Sequence, residues 1–345
     1  MVGKLAVFRC DASAELGGGH VARCLALADA LRGRGWTCLF ATRTDVSLVL
    51  PSLAASGHEV HILDDEEMDE ADEAAALGAD LKTNCALLVV DHYHCGLRFE
   101  MAARAWATRI AVIDDLARRK HDSDILVDPT PGRRSDAYQG LVSDRCRLLL
   151  GPMFAPLRPE FLALRTSALG RWRSTSNLQR VFIGFGATDS RNMTGTAVTA
   201  IAATMPNLEI DVVLGRASAN ISEVRAVAAG SRTRIHVEPK SVAHLMAGAD
   251  IGVGAAGMMS WERCCLGLPS LVAIVAENQR SNAMGLERAG AGMVVGDEGG
   301  IDSPALIDAL RELSDEPARL ARMAEAAAAL CDGRGAKRVV EALAT

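Results

Sequence analysis

The chain has 345 residues, enough for one large or two medium domains, and 49% of them are hydrophobic, enough to bury a sizeable core. Lys+Arg 37 against Asp+Glu 43 leaves a formal net charge of -6, which excludes a broadly basic nucleic-acid-binding surface. No apolar run approaches a bilayer span, and nine scattered Cys, an odd number, argue against a disulfide framework.

The first apolar stretch, residues 5–8, is too short for a signal-peptide core and ends at Arg9 and Asp11. With the cysteine usage, this predicts a cytoplasmic protein with no stable membrane insertion. Short strand candidates follow at 37–41, 60–63, 87–90, 109–113, 125–127 and 146–150. Helical stretches alternate with them near 20–32, 46–55, 67–78 and 99–107. Strand–helix alternation at this spacing predicts a mostly parallel sheet covered on both faces.

Residues 165–180, RTSALGRWRSTSNLQR, are polar and basic with little strand character, and read as a break. The alternation restarts with strand candidates at 181–185, 209–214, 233–237, 251–253, 270–274 and 292–295. Helices are expected near 193–205, 242–247, 259–266 and 279–289, and 303–344 reads as an Ala-rich helical tail. The predicted fold class is α/β, two Rossmann-like domains with a cleft between them at the strand C-termini. The expected boundaries are 1–168, a linker at 169–180, and 181–345. The last helix, after the glycine break in GRGAKRVVEAL, is expected to pack on the first domain.

Strand one runs into RCDASAELGGGHVARCLALADAL. Three glycines, Gly17 to Gly19, permit a tight turn and close approach of another group to the backbone. His20 then opens a helix whose buried face carries Cys24, Leu27 and Leu31. A helix N-terminus is a poor place for added positive charge, which leaves His20 suited to accepting a proton. Asp11 is a candidate partner that would counter this. The turn is not GxGxxG, and no acidic residue ends the second strand at Ala41, so a nicotinamide enzyme is not expected.

LLVV is followed by Asp91, His92, Tyr93 and His94, and AVI by Asp114 and Asp115. Parallel strand ends lie along one edge, so Asp91 and Asp115 are candidates to orient His20 or to bind sugar hydroxyls. A rival reading makes His92, His94 and Asp115 metal ligands, but nothing resembles HExxH. His121 reads most simply as a solvated loop histidine.

In the second half, Gly186-Ala187-Thr188-Asp189-Ser190-Arg191-Asn192 joins a strand to a helix and reads as a phosphate cradle. Gly257, Met259 and Ser260 lie in a second low-bulk turn, and Glu262 is a candidate to hold a ribose diol. Met258 and Met259 read as pocket lining or core. Glu277, Asn278 and Gln279 fall at a further strand end, where amides suit an acetamido group or phosphate oxygens. Each motif alone is weak; their joint placement at strand ends is the stronger signal.

GGGHVARC, VVDHY, IDDLARRKHDSDILVD, GPMFAPLRPEF, GFGATDSRN, GAAGMMSWERCCLGLPSLVAIVAENQ and GRGAKRVVEAL span nearly the whole chain. Together they resemble the nucleotide-sugar hydrolases of pseudaminic acid biosynthesis. Those enzymes share the two-domain glycosyltransferase-B fold with the lipid II N-acetylglucosaminyltransferases. The resemblance implies hydrolysis of UDP-2,4-diacetamido-2,4,6-trideoxy-β-L-altropyranose to UDP and the free sugar, with no cofactor and no metal. It implies that His20 is the general base and that Tyr93, Glu262 and Asn278 carry the family's other site positions. The candidate sugar contacts are Arg9, Asp11, Gly19, Asp91, Tyr93, Asp115 and Asn278. The candidate UDP contacts are Gly186, Thr188, Gly257, Met259, Ser260 and Glu262. A monomer is expected.

Three departures bear on the sugar accepted. FGATDS stands where the family has FGGSDP, placing Ala187 in the phosphate loop. AAGMMS stands for AGGST and adds bulk at Met258 and Met259; Val127-Asp128-Pro129-Thr130 stands for LDQN and removes an amide side chain. Two alternatives use the same features: a UDP-sugar glycosyltransferase, which needs an acceptor groove, and a non-catalytic nucleotide-sugar binding protein.

Overall fold

Two seven-stranded sheets carry the chain, each built from successive strand–helix units. The computed structural model describes residues 4–13, 16–43, 46, 49–64, 68–172 and 178–344. Two compact units divide it, 1–156 with 334–345, and 157–333.

In the first unit the order of elements is β1 (Leu5–Cys10), α1 (Gly19–Arg32), β2 (Thr37–Thr42), α2 (Pro51–Ala55), β3 (Glu59–Ile62), α3 (Glu70–Leu81), β4 (Leu87–Asp91), α4 (Leu97–Ala103), β5 (Ile110–Ile113), β6 (Ile125–Asp128) and β7 (Arg147–Leu150). The sheet order is β3-β2-β1-β4-β5-β6-β7, and every pairing is parallel. Apolar residues fill both strand faces, as a doubly covered sheet requires. Ala6, Phe8 and Cys10 enter one core together with Val21, Cys24 and Leu27 of α1, whereas Val7 enters the core on the other face with Phe99 of α4. Phe8 stacks on Phe40 with ring centroids 5.0 Å apart. Truncating such a buried ring costs about 3–5 kcal/mol.

In the second unit the chain continues through α5 (Pro159–Trp172), β8 (Arg180–Gly184), α6 (Met193–Thr204), β9 (Glu209–Leu214), α7 (Ile221–Ala228), β10 (Thr233–Val237), α8 (Val242–Gly248), β11 (Ile251–Ala255), α9 (Met259–Cys265), β12 (Ser270–Ala273), α10 (Arg280–Arg288), β13 (Gly292–Asp297), β14 (Gly300–Ile301), α11 (Ser303–Asp315) and α12 (Pro317–Leu330). Its order is β10-β9-β8-β11-β12-β13-β14, parallel except for the short β14 at the edge. In both sheets the strand order reverses beside the first strand, between β1 and β4 and between β8 and β11. Crevices at such switch points are where α/β sheets bind ligands.

The break expected at 165–180 is corrected in its first half. Residues 165–172 belong to α5, and the unit boundary falls between Pro156 and Leu157, not near 168. The basic residues that made this stretch look solvated are anchors. Arg165 donates to the carbonyls of Cys265 (2.5 Å), Cys331 (2.9 Å) and Ala328 (2.8 Å). Arg171 pairs with Asp250 at 2.6 Å. Residues 173–177 of the expected linker lie outside the described residues, as do 47–48 and 67 of two expected helices. The Ala-rich tail is three helices, the last of them α13 (Gly335–Ala344), which packs on α1 within the first unit. Among the described residues no helix is long and apolar enough to cross a membrane.

Candidate functional site

β1 and β4 end side by side, with Cys10 in register with Asp91. The turn after β1 returns the chain to α1, whose first residues lie over these ends. Gly18 caps the helix without a side-chain bond, and His20 is nine-tenths buried in its first turn. Helical spacing puts His20, Arg23 and Cys24 on one face. All three meet the fully buried Asp91. His20 Nδ1 lies 2.6 Å from Asp91 Oδ1. Arg23 forks onto the same carboxylate, Nε to Oδ2 at 2.6 Å and Nη2 to Oδ1 at 2.6 Å. The Cys24 thiol donates to Oδ2 at 3.6 Å.

Burial works against an ionised Asp91, but the Arg23 and His20 contacts outweigh it and hold its carboxyl well below the usual carboxylate range. An ionised carboxylate only accepts hydrogen bonds, so His20 Nδ1 carries the proton it donates. Arg23 Nη2, 3.2 Å from the same Nδ1, then spends its hydrogen on Asp91. Among the described residues His20 Nε2 has no hydrogen-bond partner. Arg23 also reaches Asp115 Oδ2 at 3.0 Å, and Tyr93 donates to Asp115 Oδ1 at 3.3 Å. The Tyr93 ring meets His20 edge-on, with centroids 4.8 Å apart. Half-buried Tyr93, Asp115 and Gly19 therefore surround the imidazole. Arg23 was not singled out in the sequence; its spacing of three from His20 is the signal that could have found it.

Asp11 does not partner His20. Its Oδ2 accepts from Arg9 Nη1 at 2.8 Å and pairs with His92 Nε2 at 3.0 Å, and its Oδ1 accepts from the Arg43 amide at 2.7 Å. Burial opposes the Asp11 charge, yet the His92 bond and Arg9 hold the carboxyl well below its ordinary value. Arg9 is corrected from a sugar contact to a support. It has no exposure, and its Nε lies 2.6 Å from Glu73, which also takes Arg43 at 2.5 Å. A side chain committed to two carboxylates beneath the surface holds Asp11 in place and meets no ligand itself.

His92 and Asp115 serve separate ion pairs, and among the described residues no three His, Cys, Asp or Glu side chains form a metal-binding group. His121 is the other correction: it is buried, not solvated. Its Nδ1 lies 2.7 Å from Glu100 Oε1, and Asp114 Oδ1 stands 3.8 Å from Nε2, too far for a hydrogen bond but close enough for charge attraction. Burial disfavours the imidazolium, but the two carboxylates push its pKa up to about 9. Asp114 in turn accepts the Ala117 amide at 2.9 Å and the Tyr138 hydroxyl at 3.1 Å, which ties down the loop that carries Asp115.

In the second unit Gly186 and Thr188 follow β8, Gly257 to Glu262 follow β11, and Asn278 follows β12 in a single 3-10 turn. Gly186 takes a φ of 94°, which only glycine adopts freely. The start of α6 is not an open anion cradle. Asp189 accepts from the amides of Met193 and Thr194, both at 3.0 Å, and Asn192 caps Gly195 at 3.1 Å. Burial raises the Asp189 carboxyl, and those bonds oppose the rise. The helix-start donors expected to meet phosphate are thus taken by the chain's own side chains.

Met259 reaches back over Gly184. Ser260 has no exposure and points inward to Arg263 Nη2 at 3.1 Å, so it is corrected from a UDP contact to a buried support. Glu262 is paired with Arg158 Nη2 at 3.1 Å, and Arg158 lies over the Phe161 ring. Burial pushes the Glu262 carboxyl up while Arg158 opposes it.

A family model described as the glycosyltransferase family 28 C-terminal domain matches residues 208–340. The chain is 23% identical to the UDP-2,4-diacetamido-2,4,6-trideoxy-beta-L-altropyranose hydrolase of Campylobacter jejuni, over 82% of this chain and 96% of that protein. It is 38% identical to the UDP-N-acetylglucosamine--N-acetylmuramyl-(pentapeptide) pyrophosphoryl-undecaprenol N-acetylglucosamine transferase of Sorangium cellulosum, over 34% of this chain and 31% of that one. The crystal structure of Acinetobacter baumannii MurG superposes with a TM-score of 0.69 at 14% identity, covering 99% of both chains. That likeness shows the fold: two Rossmann-like α/β domains of the glycosyltransferase-B type.

Proposed function

We propose that this chain is a nucleotide-sugar enzyme that breaks the anomeric C–O bond of a UDP-linked sugar, with His20 as general base. One arrangement carries the proposal. An ionised, fully buried Asp91 accepts the hydrogen bond of His20 Nδ1–H and leaves the Nε2 lone pair for an incoming O–H group. Nε2 takes that proton as the oxygen bonds to the anomeric carbon. The C–O bond to UDP breaks, and its electron pair leaves with the diphosphate. Asp91 then faces the imidazolium that forms, and Arg23 keeps the carboxylate oriented. A base positioned in this way contributes roughly 10²–10⁴-fold to the rate.

In this reading Gly19, Tyr93 and Asp115 form the sugar side, with Asp11 held in place by Arg9 and the fully buried Asp91 acting beneath them as the support of His20, not as a sugar contact. Gly186, Thr188, Gly257, Met259 and Glu262 take UDP, with Glu262 on the ribose diol. The finer reading makes water the nucleophile. The substrate is then UDP-2,4-diacetamido-2,4,6-trideoxy-β-L-altropyranose, and the step belongs to pseudaminic acid biosynthesis. The relative from Campylobacter jejuni, matched over 96% of its length, supports it. The second reading is transfer to an acceptor hydroxyl. The family 28 match and the Sorangium cellulosum transferase support it, and it has the broader backing among known proteins.

One experiment separates these readings. The protein is incubated with a panel of UDP-linked acetamido sugars in ¹⁸O-labelled water, with and without candidate acceptors. UDP release in water alone, with label in the sugar, supports hydrolysis. Release only with an acceptor supports transfer. Label in the UDP phosphate, or no release from any UDP-sugar, rejects the proposal.

A further inference from the structure

Arg263 lies on α9 with no exposure to solvent. Its three hydrogen bonds go to neutral oxygens: Nε to Ser270 Oγ at 2.8 Å, and Nη2 to the Ala255 carbonyl at 2.9 Å and to Ser260 Oγ at 3.1 Å. Nη1 finds no partner among the described residues. The neighbouring carboxylate, Glu262, is turned to Arg158. A buried charge without a counter-ion is expensive, and a core free to evolve for stability alone would not keep one.

The fold nevertheless makes room for it. A Cβ at Gly252 would stand 2.5 Å from Arg263 Cδ, and a Cβ at Gly254 would stand 2.8 Å from Nη1. Gly254 is in register with Gly184, so the guanidinium occupies the seam where β8 and β11 diverge at the switch point. The loops leaving those two strands are the ones assigned above to UDP. Of the helix-end amides in that region, those of α6 are capped by Asp189 and Asn192, and α9 is too short to supply a helix-end field. Arg263 also grips the β11 turn at both ends, Ala255 where it begins and Ser260 where it finishes.

We infer that Arg263 is a positioning residue for the diphosphate of the nucleotide: it clamps the Ala255–Ser260 turn and places beneath it a positive charge that no carboxylate pairs directly, exchanging stability for nucleotide affinity. This rests on the reading that the turn receives UDP. Burial, which lowers the Arg263 pKa to about 10, leaves the side chain charged at neutral pH.

The test measures binding of UDP and of uridine by calorimetry, and melting without ligand, for wild type, Arg263→Met and Arg263→Lys. Wild type should bind UDP more tightly than uridine. Arg263→Met should lose roughly 10- to 100-fold in UDP affinity, the scale of one charge acting across several ångströms of protein. Its uridine affinity should stay within about twofold of wild type, and its ligand-free melting temperature should match or exceed wild type. Arg263→Lys, which keeps charge but loses the fork, should recover part of the UDP affinity. Unchanged UDP affinity in Arg263→Met overturns the inference. So does an equal loss of UDP and uridine with a lowered melting temperature, or a failure to fold, since each marks a merely structural arginine. A wild-type chain that binds no UDP overturns the nucleotide reading itself, and the inference with it.

Discussion

Asp91 Oδ1 stands 2.6 Å from His20 Nδ1, and the same carboxylate also takes the forked guanidinium of Arg23. One buried acid thus fixes both the tautomer of the proposed base and the charge beside it. The two partners differ in what their loss exposes. His20→Asn should cut turnover roughly 10²–10⁴-fold while leaving UDP affinity and stability near wild type. Asp91→Asn should cut turnover as strongly and also cost about 3–5 kcal/mol of stability, because Arg23 loses a buried counter-ion. Single-turnover kinetics and urea titration of both variants check the split.

Arg23 is a second lever on the same acid. Arg23→Lys retains charge but cannot bridge both Asp91 oxygens and Asp115 together. We expect turnover to fall by roughly 10-fold or more, with a smaller change in UDP affinity. A wild-type rate in Arg23→Lys would show that the fork does not orient the base.

The buried His121 ties stability to alkaline pH. Its folded pKa is raised to about 9, above the unfolded 6.5, by Glu100 and Asp114. The resulting stabilisation is therefore full below about pH 6.5 and is lost as pH climbs through 9. Its size is on the order of 3 kcal/mol. Chemical denaturation of wild type and His121→Gln across pH 6 to 10 should show the gap between them narrowing over that window. A gap that stays constant with pH would show that the His121 charge does not stabilise the fold.

Arg165 holds three carbonyls at the ends of two segments of the second unit. Arg165→Ala leaves them without this donor and should cost about 2–4 kcal/mol, since bonds to charged donors are the stronger kind. Thermal melting checks this, and a change below 0.5 kcal/mol would make α5 a loosely attached linker after all.

The strands were legible because parallel sheets with both faces covered need unbroken apolar runs, and LAVF, LLVV and ILV stand out between polar turns. His20 was legible because a glycine turn and a following helix mark a strand end. Its partner was legible only as one of three candidates, Asp11, Asp91 and Asp115. Asp11 and Asp91 both close strands beside it, and only the register of β1 with β4 brings Asp91 to the imidazole while Arg9 and His92 claim Asp11. The arginines misled for a related reason. Arg9 read as a ligand contact and Arg165 as part of a solvated break, whereas both are spent internally on carboxylates or carbonyls. Sequence spacing carries little information about a long side chain's partner when that partner lies many residues away.

The last helix has a consequence for how the protein is made. Val339, Val340, Ala342 and Leu343 lie in the core under α1, although the whole second unit, 157–333, precedes them in the chain. On the ribosome the second unit is complete before the first can close its core. The half that holds the proposed base therefore waits, while 157–333 are made, with an apolar face still uncovered, a state in which chains are prone to aggregate.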